Sequence, residues 1–120
     1  MAGVILAVDD SASMRQMVNF TLKGAGYEVV QAVDGIAALE YARLNSVDLV
    51  LTDVNMPRMD GITLVKELRA LPAYRYTPML VLTTESSQDK KIHGKQAGAT
   101  GWIVKPFSPD QLLATIARVL

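Results

Sequence analysis

The sequence predicts an α/β fold: a doubly wound five-stranded parallel sheet made of five βα units, a three-layer sandwich with strand order 2-1-3-4-5. Three observations predict it. Short apolar runs (VILAV, YEVVQAV, DLVLT, MLVLT and GWIVK) recur along the 120 residues, and segments with helical spacing separate them. The runs are apolar at consecutive positions, the pattern of strands covered on both faces of a parallel sheet, and right-handed crossovers limit how such units wind. The length suits one domain, 1–120, with a single core, and no low-complexity segment or composition shift marks a boundary.

The first strand, around Val4 to Val8, runs into Asp9 and Asp10. The first helix starts from a hydroxyl cap at Ser11 or Ser13, buries Met14, Met17, Val18, Thr21 and Leu22, and closes at Gly24 or Gly26. After the second strand Asp34 caps a helix that turns Ala38, Leu39 and Ala42 inward. The third helix follows Pro57 to Gly61, with Ile62, Val65, Leu68 and Leu71 on its buried face, and PAYRYTP leads to strand four. The fourth helix, near Gln88 to Ala97, is weak, because Gly94 inside it costs about 1 kcal/mol relative to alanine. Ser108 followed by Pro109 starts the fifth, which runs to the end at Leu120.

Composition narrows the function. Twelve basic and twelve acidic residues give a formal net charge of zero, so nothing suggests an electrostatic grip on nucleic acid. The absence of cysteine removes disulfides, thiolate catalysis and thiolate metal sites, and fits a reducing compartment, with cytoplasm as the expectation. No apolar run approaches the ~18 residues of a membrane span, and MAGVILAVDD lacks the basic start and the length of a signal peptide.

In doubly wound sheets ligands bind beyond the carboxyl ends of the strands, where strand order reverses. In the flavodoxin-like order 2-1-3-4-5 that switch point lies between strands one and three, which gathers Asp9 and Asp10 from the first with Asp53 from the third. Thr83 and Thr84 end strand four and Lys105 ends strand five. Adjacent carboxylates repel by roughly 3 to 4 kcal/mol at an effective dielectric near 20, so ionised acids grouped there need compensation. A hard divalent cation is the simplest source, and Mg2+ commonly takes one or two carboxylates plus phosphate oxygens. Asp53 is then a candidate nucleophile, with Thr83 and Lys105 as donors to phosphoryl oxygens.

Each of these residues has a plain structural reading when taken alone. A strand-end aspartate caps the next helix, Thr83 and Thr84 terminate a strand, and Lys105 is a solvated charge. Met14 and Met17 read as core fillers, Trp102 as core packing, and His93 as one imidazole on a solvated face with Lys90, Lys91 and Lys95. The joint placement of acids, hydroxyl and lysine at one sheet edge is what points to a site.

With VDDS, LTDVNMPRMDG, VLTTE and IVKPF in order at strand ends, the sequence resembles the receiver domains of bacterial two-component response regulators over nearly its whole length. The resemblance implies that Asp53 accepts a phosphoryl group from a phosphohistidine on a histidine kinase. It also implies that Asp10, Asp53 and the main-chain carbonyl of Asn55 bind magnesium directly, with Asp9 acting through a water. Thr83 and Lys105 would hold phosphoryl oxygens, and the Lys105–Pro106 bond is expected to be cis. Phosphorylation would draw Thr83 and its loop inward, and an aromatic residue on strand five, here Trp102, would respond. An indole is larger than the tyrosine common in chemotaxis members and donates through nitrogen alone, so output is expected to rest more on the loop and the weak fourth helix.

Asn55, Glu85 and the KPF context look most similar to single-domain chemotaxis regulators of the CheY type, with Asn55 and Glu85 tuning dephosphorylation. The expected partners are a chemotaxis kinase, a possible phosphatase, and a flagellar motor switch protein or other target bound through the fourth helix, fifth strand and fifth helix. Service as a phosphate sink or phosphorelay intermediate is the alternative. A magnesium phosphohydrolase of similar fold would place a second acid two residues after its nucleophile, where this chain has Asn55, and a flavin module's phosphate loop would meet Asp9 and Asp10. The expected activity is that of a phosphoacceptor signalling protein rather than an enzyme acting on external substrates.

Overall fold

The computed structural model describes residues 3–84 and 95–120. In chain order these form β1 (Val4–Val8), α1 (Ala12–Gly24), β2 (Glu28–Ala32), α2 (Gly35–Leu44), β3 (Leu49–Asp53), α3 (Gly61–Arg69), a 3-10 turn (Pro72–Tyr74), β4 (Met79–Thr83), β5 (Gly101–Val104) and a C-terminal helix (Pro109–Val119). Residues 95–97 are also helical. The greater part of the expected fourth helix, with Gln88, Lys90, Lys91, His93 and Gly94, lies outside the described residues, as does Glu85.

All five strands pair in parallel, in the order β2-β1-β3-β4-β5. Alternation along the strands divides the apolar residues between two faces. Leu6, Val8, Val50, Met79 and Val81 meet α2 and α3 through Ala38, Leu39, Ala42, Leu64, Val65 and Leu68. Ile5, Ala7, Leu49, Leu51, Leu80 and Leu82 meet α1 and the C-terminal helix through Val18, Leu22, Leu112 and Ile116. Every residue of β3 and β4 is buried, as the continuous runs require, whereas β2 exposes Glu28 and Gln31 because it is an edge strand.

The caps follow the predicted signals. Ser11 accepts from Met14 N, Asp34 from Ala37 N, and Ser108 from Gln111 N in a reciprocal capping box with Pro109 at the first turn. On α3 the buried face is Leu64, Val65 and Leu68; Ile62 and Leu71 are half-buried, and Leu71 falls beyond the helix. Arg69, at the end of α3, donates to the carbonyls of Tyr74 at 2.7 Å and Gly98 at 2.9 Å, tying that helix to the approach to β5. Among the described residues no helix is long and apolar enough to cross a membrane.

Candidate functional site

β1 and β3 are adjacent at the point where strand order reverses, so their carboxyl ends deliver Asp9, Asp10 and Asp53 to one place. One carboxylate oxygen from each lies within 4.8 Å of the others. Asp9 and Asp53 are buried and Asp10 is exposed. β5 brings Lys105 from the far side: its Nζ stands 2.9 Å from Asp53 Oδ1 and 3.8 Å from Asp9 Oδ2. The Lys105–Pro106 peptide is cis, and Lys105 N donates to Thr83 O at 2.7 Å, which joins the ends of β4 and β5.

Asp9 is held firmly and satisfied incompletely. Its Oδ1 accepts from Ser11 N at 2.9 Å, and its main-chain oxygen accepts from the Arg15 guanidinium at 2.7 Å. Its Oδ2 is buried without a hydrogen-bond partner among the described residues. Burial pushes the Asp9 carboxyl above its ordinary value, and the negative charge of Asp53 adds to the shift; the Ser11 amide and Lys105 oppose it. With one ammonium among three carboxylates the formal sum is minus two, and an oxygen-only donor set of this charge fits a hard divalent cation.

Thr83 ends β4, buried beside this group, and Trp102 pairs in register with Val81 on the neighbouring strand. Trp102 is half-buried against the cluster that holds Met79 and Val81. On its outer side β5 forms, with the C-terminal helix, an open groove lined by Trp102, Val104, Lys105, Gln111 and Thr115. Asn55 is exposed in the loop that leaves β3.

Three features of this region have no counterpart in the sequence reading. Gly61 begins α3 so near the acidic group that a Cβ there would lie 2.0 Å from the carbonyl oxygen of Asp53. Arg15 secures the backbone of Asp9. Arg58, at a positive φ of 67°, forms an ion pair with Asp34. The GI dipeptide after a strand-end loop hints at the first; the other two depend on tertiary placement.

Comparison with known proteins gives concordant matches. The response regulator receiver domain family model covers residues 5–117. The chain is 39% identical over 116 residues to chemotaxis protein CheY-3 of Vibrio cholerae, spanning 96% of this chain and 89% of that one. The chemotaxis response regulator CheY4 of Vibrio cholerae superposes with a TM-score of 0.96 at 53% identity over 100% of both chains. The receiver domain of a sensor histidine kinase of Pseudomonas aeruginosa, solved with a magnesium ion coordinated in its active-site cleft, matches with a TM-score of 0.90 at 30% identity over 98% of this chain and 97% of that one.

Proposed function

The chain belongs to the response regulator receiver domain family, in its chemotaxis branch, and from that membership we propose that Asp53 is the phosphoacceptor of a chemotaxis signalling switch. The observation that carries the reading is the 2.9 Å contact of Lys105 Nζ with Asp53 Oδ1 inside a three-carboxylate group whose charge the lysine only partly offsets.

A carboxylate oxygen of Asp53 attacks the phosphorus of a phosphohistidine on a histidine kinase. The P–O bond forms, the P–N bond breaks, and its electron pair stays on the imidazole. Lys105 holds Asp53 in position and then donates to the phosphoryl oxygens, joined by the Thr83 hydroxyl. Asp10, Asp53 and the main-chain oxygen of Asn55 would hold magnesium, with Asp9 acting through a water; the related Pseudomonas domain binds that ion in its own cleft. When bound, the ion would supply positive charge that offsets the negative charge of the transferred group. Asn55, two residues after the acceptor, and Glu85, two residues after Thr83, tune dephosphorylation.

The aspartyl phosphate adds charge and acceptor oxygens next to Thr83. Inward movement of Thr83 alters the β4–β5 edge, where Trp102 and the groove beside the C-terminal helix form the face for an output partner such as a flagellar motor switch protein. The protein works in the cytoplasm, where the kinase and the switch present their binding faces. Service as a phosphate sink needs only the first half of this cycle.

The test is incubation with acetyl phosphate and magnesium followed by intact-mass measurement. One phosphoryl group per chain in the parent and none in Asp53→Asn is expected. Repeated turnover without bound product, or an undiminished gain in Asp53→Asn, overturns the reading.

A further inference from the structure

Building on the magnesium site proposed above, we infer that Arg58 is a positioning residue for the Asn55 ligand: its ion pair with Asp34 clamps the β3–α3 loop against the start of α2 and thereby sets metal affinity.

A main-chain carbonyl ligand has no side chain to steer it, so the conformation of its loop decides where the oxygen points. The loop of residues 54–60 is tied at both ends, by Val54 N to Leu82 O at 3.0 Å and by Gly61 N to Val54 O at 2.9 Å. Between these ties the chain reverses at Arg58, where Met59 N donates to Pro57 O at 2.7 Å across a φ of 67°. This is a three-residue turn of the hand that L-residues adopt only under strain, and glycine or asparagine would suit it better than arginine. The guanidinium explains the exception.

Arg58 Nη2 donates to Asp34 Oδ2. Asp34 is a fixed anchor: its side chain is 6% exposed, and its Oδ1 caps α2 by accepting from Ala37 N at 2.8 Å. That amide and Arg58 hold the Asp34 carboxyl below its usual range, which keeps the acceptor ionised. The two segments also meet at Gly35, where an added Cβ would lie 3.0 Å from the Cβ of Met59. Because the Arg58 side chain is 66% exposed, the pair adds little to global stability. Its effect is local, selecting one loop conformation, as supporting contacts behind metal ligands do.

Calorimetric titration of the whole chain with magnesium chloride tests this. Arg58→Ala and Asp34→Asn are each expected to weaken binding about tenfold, the low end for loss of a contact behind a ligand. Asp34→Asn retains the oxygen that caps Ala37. The two changes shift local charge in opposite directions, so a purely electrostatic role would strengthen binding in the first and weaken it in the second. Weakening in both, no further loss in the double variant, and recovery in Arg58→Lys support the clamp. Opposite signs, unchanged affinity or multiplicative losses overturn it. Arg58→Gly, which removes the guanidinium yet suits the positive φ, must show the same loss while remaining folded by circular dichroism; retained affinity there also overturns the clamp. Failure of the parent to take up magnesium would overturn the metal site itself, a distinct outcome.

Discussion

Asp9 directly follows β1 with a side chain that is 6% exposed, one oxygen on the Ser11 amide and the other 3.8 Å from Lys105 without a hydrogen bond among the described residues. An unsatisfied buried acceptor costs about 1 to 3 kcal/mol, and more when it is charged. The neighbouring Asp53 has the shorter contact with Lys105, so Asp9 gets the weaker share of the only ammonium beside it among the described residues. Replacement of Asp9 by asparagine keeps the acceptor for Ser11 N and turns the orphaned oxygen into a donor beside Asp53. Asp9→Asn is therefore expected to stabilise the metal-free protein by about 1 kcal/mol, read as a higher urea midpoint in chelator with unchanged slope. In saturating magnesium the advantage should shrink or reverse, because the removed charge is one that the proposed cation would use. A variant less stable than the parent in chelator would mean that Asp9 serves the fold rather than the site.

At the scale of elements, α3 is set against β3 by close backbone approach. Gly61 N donates to Val54 O at 2.9 Å, and a Cβ on Gly61 would stand 2.0 Å from Asp53 O and 3.1 Å from the Val54 Cα. Those are main-chain atoms with no rotamer to yield, so Gly61→Ala must move the helix start or the end of β3. A loss of about 2 to 4 kcal/mol is expected by thermal or urea unfolding, although alanine is the better helix former. Elements whose sequence carries their own signal were legible: strand-end acids follow continuous apolar runs, and Ser11, Asp34 and Ser108 announce the helices they cap. Less legible was what depends on how elements meet. Periodicity put Ile62 on the buried face of α3; Ile62 packs half-buried against the core, and Leu64, outside that pattern, is fully buried. No local pattern marks Arg58 for a left-handed turn, since its partner Asp34 is far away in sequence and reaches it only through the packing of α2 beside α3.

Across the whole molecule, the site lies where both halves of the core converge. The cluster against α2 and α3 holds one face of β1 and β3, and the cluster against α1 and the C-terminal helix holds the other. Residues from β1, β3 and β5 therefore share one charged group while their strands are fixed by two separate apolar layers. The acids cannot separate to relieve repulsion without disturbing the sheet, and a cation that neutralises them stabilises every element that delivers them. Such an ion binds the folded chain and not the unfolded one, so its effect follows mass action: at about 100 times Kd the gain is about 2.7 kcal/mol. For a domain of this size that corresponds to a rise in Tm of about 10 °C. Differential scanning fluorimetry in chelator and in rising magnesium should show the increase, growing with the logarithm of free magnesium, and excess chelator should abolish it. Potassium chloride at matched ionic strength should not reproduce it, since screening acts weakly on buried pairs. Asp53→Asn should raise Tm in chelator, because it removes one of two buried like charges, and should flatten the magnesium response. An equal magnesium response in Asp53→Asn would show that the ion stabilises the chain at some place other than the acids at the ends of β1 and β3.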